Sequence, residues 1–167
     1  MSFKKNKYTV LRAIINKEIA DFAFAYFLNK RKVAKFLFEE KFISPFTEYW
    51  GRWNDPQVPN TYSHYSDLVM ETLMLKCQPI MEKYTKLKLS PNYSYARIYK
   101  KGDVLYRHKD RFSCEISTDL EHWREEFRGE NCAQAFLHYN KKGSKMAKAN
   151  EFDTRPFLGL PAYFKKK

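Results

Sequence analysis

Apolar positions first recur with helical spacing after Asn16. Ile19, Phe22, Ala23, Tyr26 and Phe27 fall on one side of a helix, and Val33, Phe36 and Leu37 extend the stripe less regularly. Asn16 is placed to cap this helix, because its short amide side chain can accept from an unsatisfied first-turn N–H. The pattern ends before Ser44, Pro45 and Phe46. The next stretch, TEYWGRWNDPQVPNTYSHYS, carries Gly51, Pro56 and Pro59 and predicts an ordered aromatic loop whose tryptophans act as packing anchors. A second helix is predicted over SDLVMETLMLKCQPIMEKY, capped by Ser66, with Val69, Leu73, Cys77, Ile80 and Tyr84 as its buried stripe. Pro79 predicts a kink there, since proline has no N–H and collides with the preceding turn. Cys77 on that stripe reads as an inert core thiol.

From Tyr93 the period changes. YSYARIYKKGDVLYRHKDRFSCEIS is rich in Tyr, Ile and Val and predicts a hairpin with KKGD as its turn. AQAFLHYN, Ala133 to Asn140, predicts a further strand, and the tail from Lys141, ending in RPFLGLPAYF, is expected to pack back on the body. No internal repeat and no second domain are evident. The expectation is one α+β domain over 1–167, with a mainly helical part over 1–90, strands over 91–140 and a packed tail over 141–167.

Composition narrows the class. No run approaches the roughly 18 apolar residues needed to cross a membrane. The basic start MSFKKNKYTVLRAIIN lacks the apolar core and cleavage site of a signal peptide, so a cytoplasmic location is expected. Cys77, Cys114 and Cys132 are odd in number and show no C-x-x-C spacing. That disfavours structural disulfides and a zinc knuckle and suits a reducing compartment. The net charge of +12, with local clusters at NKRK and the terminal FKKK, permits attraction to nucleic acid or anionic metabolites. The same charge also fits a solvated basic surface.

Candidate chemistry begins in YRHKDRFSCEIS. His108 and Asp110 share one face of a strand, because side chains alternate with period two. A His-x-Asp pair alone arises often by chance, so a third ligand is needed from His64, His122 or His138. His64 lies in the aromatic loop, and His138, between Leu137 and Tyr139, reads equally as a hydrogen-bonded strand residue. His122, in DLEHWREEFRG, is the best candidate. Two histidines and one carboxylate on one face of a metal leave open positions, as in non-heme Fe(II) oxygenases. The same set can hold zinc and activate water, although H-E-x-x-H is absent.

YSYARIYKKGDVLYRHKDRFSCEIS and LEHWREEFRGENCAQAFLHYN resemble small 2-oxoglutarate/Fe(II)-dependent oxygenases, many of them phage-encoded. NKYTVLRAIINKEIADFAFAYFLNKRKVAKFLF, QVPNTYSHYSDLVMETLM and EFDTRPFLGLPAYFKK are similar to the same family, so the likeness covers nearly the whole chain. It implies N-terminal helices packed on a double-stranded β-helix, or jelly roll, and a location in the host cytoplasm if phage-encoded. It implies His108, Asp110 and His122 as ligands of Fe(II), with 2-oxoglutarate and O2 as cosubstrates for hydroxylation of a further substrate. Tyr99 resembles the tyrosine that many relatives use for the distal carboxylate of 2-oxoglutarate; a hairpin aromatic packed across the sheet is the other reading. No base stands about ten residues after His122, where relatives carry one, so Arg124 is favoured among Arg124, Arg128 and Arg111 as the guanidinium partner. The reading from a different class is a non-enzymatic basic module of the same descent that binds nucleic acid or protein.

The chain departs from the family between Thr118 and Asp119, where relatives carry several more strands and CEIST here runs straight into DLEHW. A simple hairpin with Ser117 to Asp119 as its tip would set His122 opposite Cys114 and leave Asp110 roughly 13 Å away. That register breaks the triad, and only a wide loop after Cys114 preserves it. Weak activity of this shortened chain is therefore expected unless His122 folds back beside Asp110. Unpaired sheet edges and uncovered apolar faces are expected as well.

Overall fold

A computed structural model describes residues 3–44, 47–53, 55–111, 113–116 and 121–155. A short α1 (Phe3–Asn6) precedes the long α2 (Lys17–Glu39), and a 3-10 turn at Glu48–Trp50 leads to β1 (Tyr62–Tyr65). Then come α3 (Leu68–Thr85), β2 (Leu89–Lys100), β3 (Leu105–His108), β4 (His122–Arg124), β5 (Asn131–Lys141) and α4 (Ala147–Asn150), followed by a 3-10 turn at Glu151–Thr154. All strand pairings are antiparallel, in a three-stranded sheet ordered β1-β2-β5 and a two-stranded sheet β3-β4. The architecture is α+β.

Both predicted helices form, each with a detail that differs from the periodic reading. Asn16 caps α2 by accepting from the Ile19 N–H at 3.0 Å. Its buried residues are Phe27 and Ala34, with Ala23, Tyr26 and Leu28 packed beside them, whereas Phe22, Val33 and Phe36 stay exposed. The cap of α3 is Asp67 rather than Ser66: its carboxylate accepts from the N–H groups of Val69 and Met70, and Ser66 stands before it at a φ of 58°. Cys77 of the predicted stripe is buried, but the other core-facing apolar positions are Met70 and Met74, with Val69, Leu73 and Ile80 only half-buried and Tyr84 facing solvent. The helix continues through Pro79, which is exposed.

Two strand expectations are corrected. TYSHYS was expected in a loop but forms β1, because Tyr62 to Tyr65 find open ladder positions against Ile98 to Tyr95. The expected β2–β3 hairpin does not form. β2 already has β1 on one edge and β5 on the other, so the chain after Lys100–Gly102 crosses to the second sheet instead. The expected strand at Ala133 to Asn140 is present within β5.

The three-stranded sheet separates two environments. One face carries Ala96 and Ile98 with Tyr62, against Phe27 and Ala34 of α2 and Met70 of α3, with Trp50 and Trp53 as packing anchors. Tyr93, Tyr95, Arg97 and Tyr99 alternate onto the opposite face, toward β3 and β4. The two-stranded sheet is small, and Tyr106 (76 % exposed) and Trp123 (49 %) are exposed on it. The start of the tail packs back: Arg155 donates to the fully buried Glu71 at 3.1 Å, and Asp153 pairs with Arg111 at 2.8 Å. RPFLGLPAYF lies outside the described residues after its arginine.

Candidate metal centre

β3 pairs with β4 so that His108 faces His122 and Leu105 faces Arg124. Between those pairs β3 carries one more residue than β4, an irregularity that turns Leu105 and His108 toward the same cavity although simple alternation would separate them. Asp110 follows just past the end of β3. The tight hairpin considered from the sequence, with Cys114 opposite His122, is not what forms. The described residues of the connection pack against β2 and β5. Cys114 packs under Tyr93 with its sulfur 3.2 Å from the tyrosine oxygen, and the N–H of Ile116 donates to the carbonyl of Tyr139 on β5. β4 pairs with β3 in the register that brings the ligands together.

His108, Asp110 and His122 consequently meet. One Asp110 carboxylate oxygen, Oδ1, lies 3.8 Å from His108 Nε2 and 3.6 Å from His122 Nε2. One ligand atom from each residue falls within 4.8 Å of the others. The two imidazole centroids are 4.3 Å apart. His108 Nδ1 sits 2.8 Å from the carbonyl oxygen of Tyr106, which can only accept, so Nδ1 donates its proton and the Nε2 lone pair points to the cluster. Ligands at right angles around a metal at about 2.1 Å are about 3 Å apart. The present spacing, up to 4.8 Å, is more open than that. Two imidazoles and a carboxylate suit a first-row divalent ion, iron and zinc included. The three residues form a candidate metal-binding triad.

The cluster opens onto a cavity of about 330 Å³. Tyr65, Tyr93, Tyr95 and Phe136 wall it, and Lys109 and Arg111 place cations on its lining. His138 also lines it, with its ring 4.5 Å from that of Tyr93. Burial lowers the His138 pKa to about 4, although the negative charge of Asp110 partly opposes that, so this imidazole is neutral at neutral pH.

Behind the wall lies a buried ion pair. Arg97 donates from Nε to one Asp55 oxygen at 2.8 Å and from Nη2 to the other at 2.9 Å, with further bonds to Gln57 and Tyr99. Burial alone would raise the Asp55 pKa, but hydrogen bonds from Arg97 and Tyr95 and the guanidinium charge outweigh it and hold the carboxyl below its usual value. Tyr99 is fully buried, its oxygen accepting from Arg97 at 2.9 Å, and the Arg124 guanidinium lies 4.5 Å above its ring. Arg124 also donates to Gln134 at 2.7 Å. The two residues singled out for 2-oxoglutarate are thus neighbours, with Tyr99 set behind the cavity and Arg124 half-buried. Arg111 is engaged by Asp153, and Arg128 is exposed. His64 is remote in role as well as sequence: its Nε2 lies 2.8 Å from the Tyr49 carbonyl oxygen.

Sequence reasoning missed Asp55, Gln57, Arg97 and Lys109 and undervalued His138. Alternation held the signal for two of them. Arg97 shares the face of Tyr93, Tyr95 and Tyr99, and His138 shares that of Gln134 and Phe136, so both had to point inward. Comparison with family models, curated proteins and solved structures gave no significant match.

Proposed function

We propose that the chain is a 2-oxoglutarate/Fe(II)-dependent oxygenase of the hydroxylase type, with His108, Asp110 and His122 as the metal ligands. What carries this reading is the convergence of those side chains despite the short link between Asp110 and His122. Convergence also speaks against a purely non-enzymatic basic module, for which no such cluster is required. In this reading the two facing sheets are a shortened jelly roll, with the metal at the mouth between them. When bound, Fe(II) with 2-oxoglutarate and O2 would supply oxidative decarboxylation coupled to hydroxylation of a substrate.

The residues of the chain then have definite tasks. His108 presents Nε2 because its other nitrogen is held by the Tyr106 carbonyl. Asp110 supplies the one anionic ligand and reduces the charge of a divalent ion. Aromatic side chains give the cavity apolar walls, and the neutral His138 lines it without adding charge. Arg124 is the proposed partner of the distal carboxylate, because a planar guanidinium matches a carboxylate in two hydrogen bonds. Tyr99 positions it by stacking beneath it. The test is succinate release from 2-oxoglutarate with Fe(II) under air, comparing the natural chain with Asp110→Ala. Release that is lost in the variant supports the reading. Equal release from both, or none from either across candidate substrates, contradicts it.

A further inference from the structure

The opposite, helix-covered face of the three-stranded sheet holds a second cleft, of about 310 Å³, that plays no part in the metal centre. Arg31, Lys32 and Lys35 reach it from α2, Lys100 reaches it from the end of β2, and Trp53 lines it. Residues i, i+1 and i+4 of a helix span little more than one turn, so the three α2 cations are concentrated on one patch. Their charge is poorly balanced. Lys100 pairs with Asp103 at 2.5 Å, and Lys35 lies 3.7 Å from the exposed Glu39, a contact of little worth in water. Arg31 donates to the neutral Asn131 side chain at 3.0 Å, and among the described residues neither Arg31 nor Lys32 makes an ion pair with a carboxylate. Trp53 is half-buried, its ring tilted at 56° to that of Tyr62 with centroids 4.8 Å apart, and it is among the residues that line the cleft.

The geometry points to a binding site for single-stranded nucleic acid, in which Arg31, Lys32 and Lys35 hold backbone phosphates and Trp53 stacks on a base. Cations that track a phosphate chain beside an aromatic platform are what sequence-tolerant single-strand binding requires. A duplex offers its bases no free face for Trp53, and an acidic peptide would use the cations but not the ring. The net charge of +12 adds long-range attraction for the same polyanion. The site stands on the α2 side of the sheet and does not depend on the oxygenase reading.

Fluorescence anisotropy of a fluorescein-labelled oligothymidylate tests it. Three phosphate contacts on a single strand give a slope of about −2 in log affinity against log salt, so raising KCl from about 50 to about 200 mM should weaken binding roughly 20-fold. The charge reversal Lys32→Glu/Lys35→Glu, at two exposed positions, should weaken binding at least about tenfold, whereas Lys4→Glu/Lys5→Glu, equally charged but on α1, should change it less than about twofold. A strand of the same length with abasic sites should bind roughly fivefold or more weakly, the loss of one stacked base. Equal losses in both charge-reversed proteins would reduce the binding to bulk charge and overturn the proposal. Displacement by polyglutamate as effective as by unlabelled oligothymidylate would also overturn it, assigning the cleft to an acidic protein instead.

Discussion

Asp55→Asn is the most informative single change behind the cavity wall. Asp55 and Arg97 are each 1 % exposed, and the carboxylate accepts two hydrogen bonds from the guanidinium, one from Tyr95 and two from the backbone N–H groups of Gln57 and Val58. The amide keeps the shape but removes the charge and turns one acceptor into a donor facing Arg97. The guanidinium is then buried without a counter-ion, a state that costs about 3–5 kcal/mol. For a domain of this size, each kcal/mol shifts the melting temperature by about 2–4 °C, so a drop of roughly 6–20 °C is expected. Circular dichroism melts and urea titrations measure it. The double variant Asp55→Asn/Arg97→Met should be less destabilised than Asp55→Asn alone, because no orphaned charge remains. A loss below about 1 kcal/mol for Asp55→Asn, or a double variant that is the sum of the two single losses, would refute a tightly coupled buried pair.

Two further outcomes follow from buried charge. His138 has a folded pKa of about 4, below its unfolded value of 6.5, so the unfolded chain binds the extra proton first. Its contribution is complete above about pH 6.5 and is lost as pH falls toward 4, amounting to about 2 kcal/mol between pH 6.5 and 5. His138→Gln should therefore lose less stability over that interval than the natural metal-free chain, and parallel urea midpoints for both would contradict this. Arg155→Ala leaves Glu71, fully buried, with hydrogen bonds from Ser94 but without its cation. A loss of about 3 kcal/mol is expected in urea unfolding, and a loss under about 1 kcal/mol would show that the tail contact is dispensable.

The helices were legible because their apolar periodicity is local, and Asn16 caps where the sequence placed it. The stripe of α3 was only partly legible, because apolar residues stand at both Val69 and Met70 and at both Leu73 and Met74, and the cap was ambiguous because Ser66 and Asp67 are both good caps. Only the tertiary contacts of Asp67 with Tyr26 and Lys30 decide between them. The His-x-Asp spacing singled out His108 and Asp110, but β3 ends at His108, so Asp110 reaches the cluster from the segment after the strand rather than from a shared strand face, and His108 reaches the cavity only through the extra residue in β3, which alternation cannot foresee. The β2–β3 hairpin misled because KKGD is a sound turn, and pairing is decided by which strands compete for an edge. β5 wins that edge with a ladder extending from Leu89 to Lys100. The Asp55–Arg97 pair joins an aromatic loop to a strand, and no local pattern announces such a contact.

The central claim is that His108, Asp110 and His122 form one metal site in the chain as it stands. Anaerobic isothermal titration with Fe(II), comparing the natural chain with His108→Ala and His122→Ala, addresses it most directly. One ion should bind per chain, with affinity reduced at least about 100-fold by either substitution, since each removes a ligand. Binding by His122→Ala that matches the natural chain would mean that β4 does not bring its histidine to the ion. Weak and equal binding by all three proteins would mean that no iron site exists.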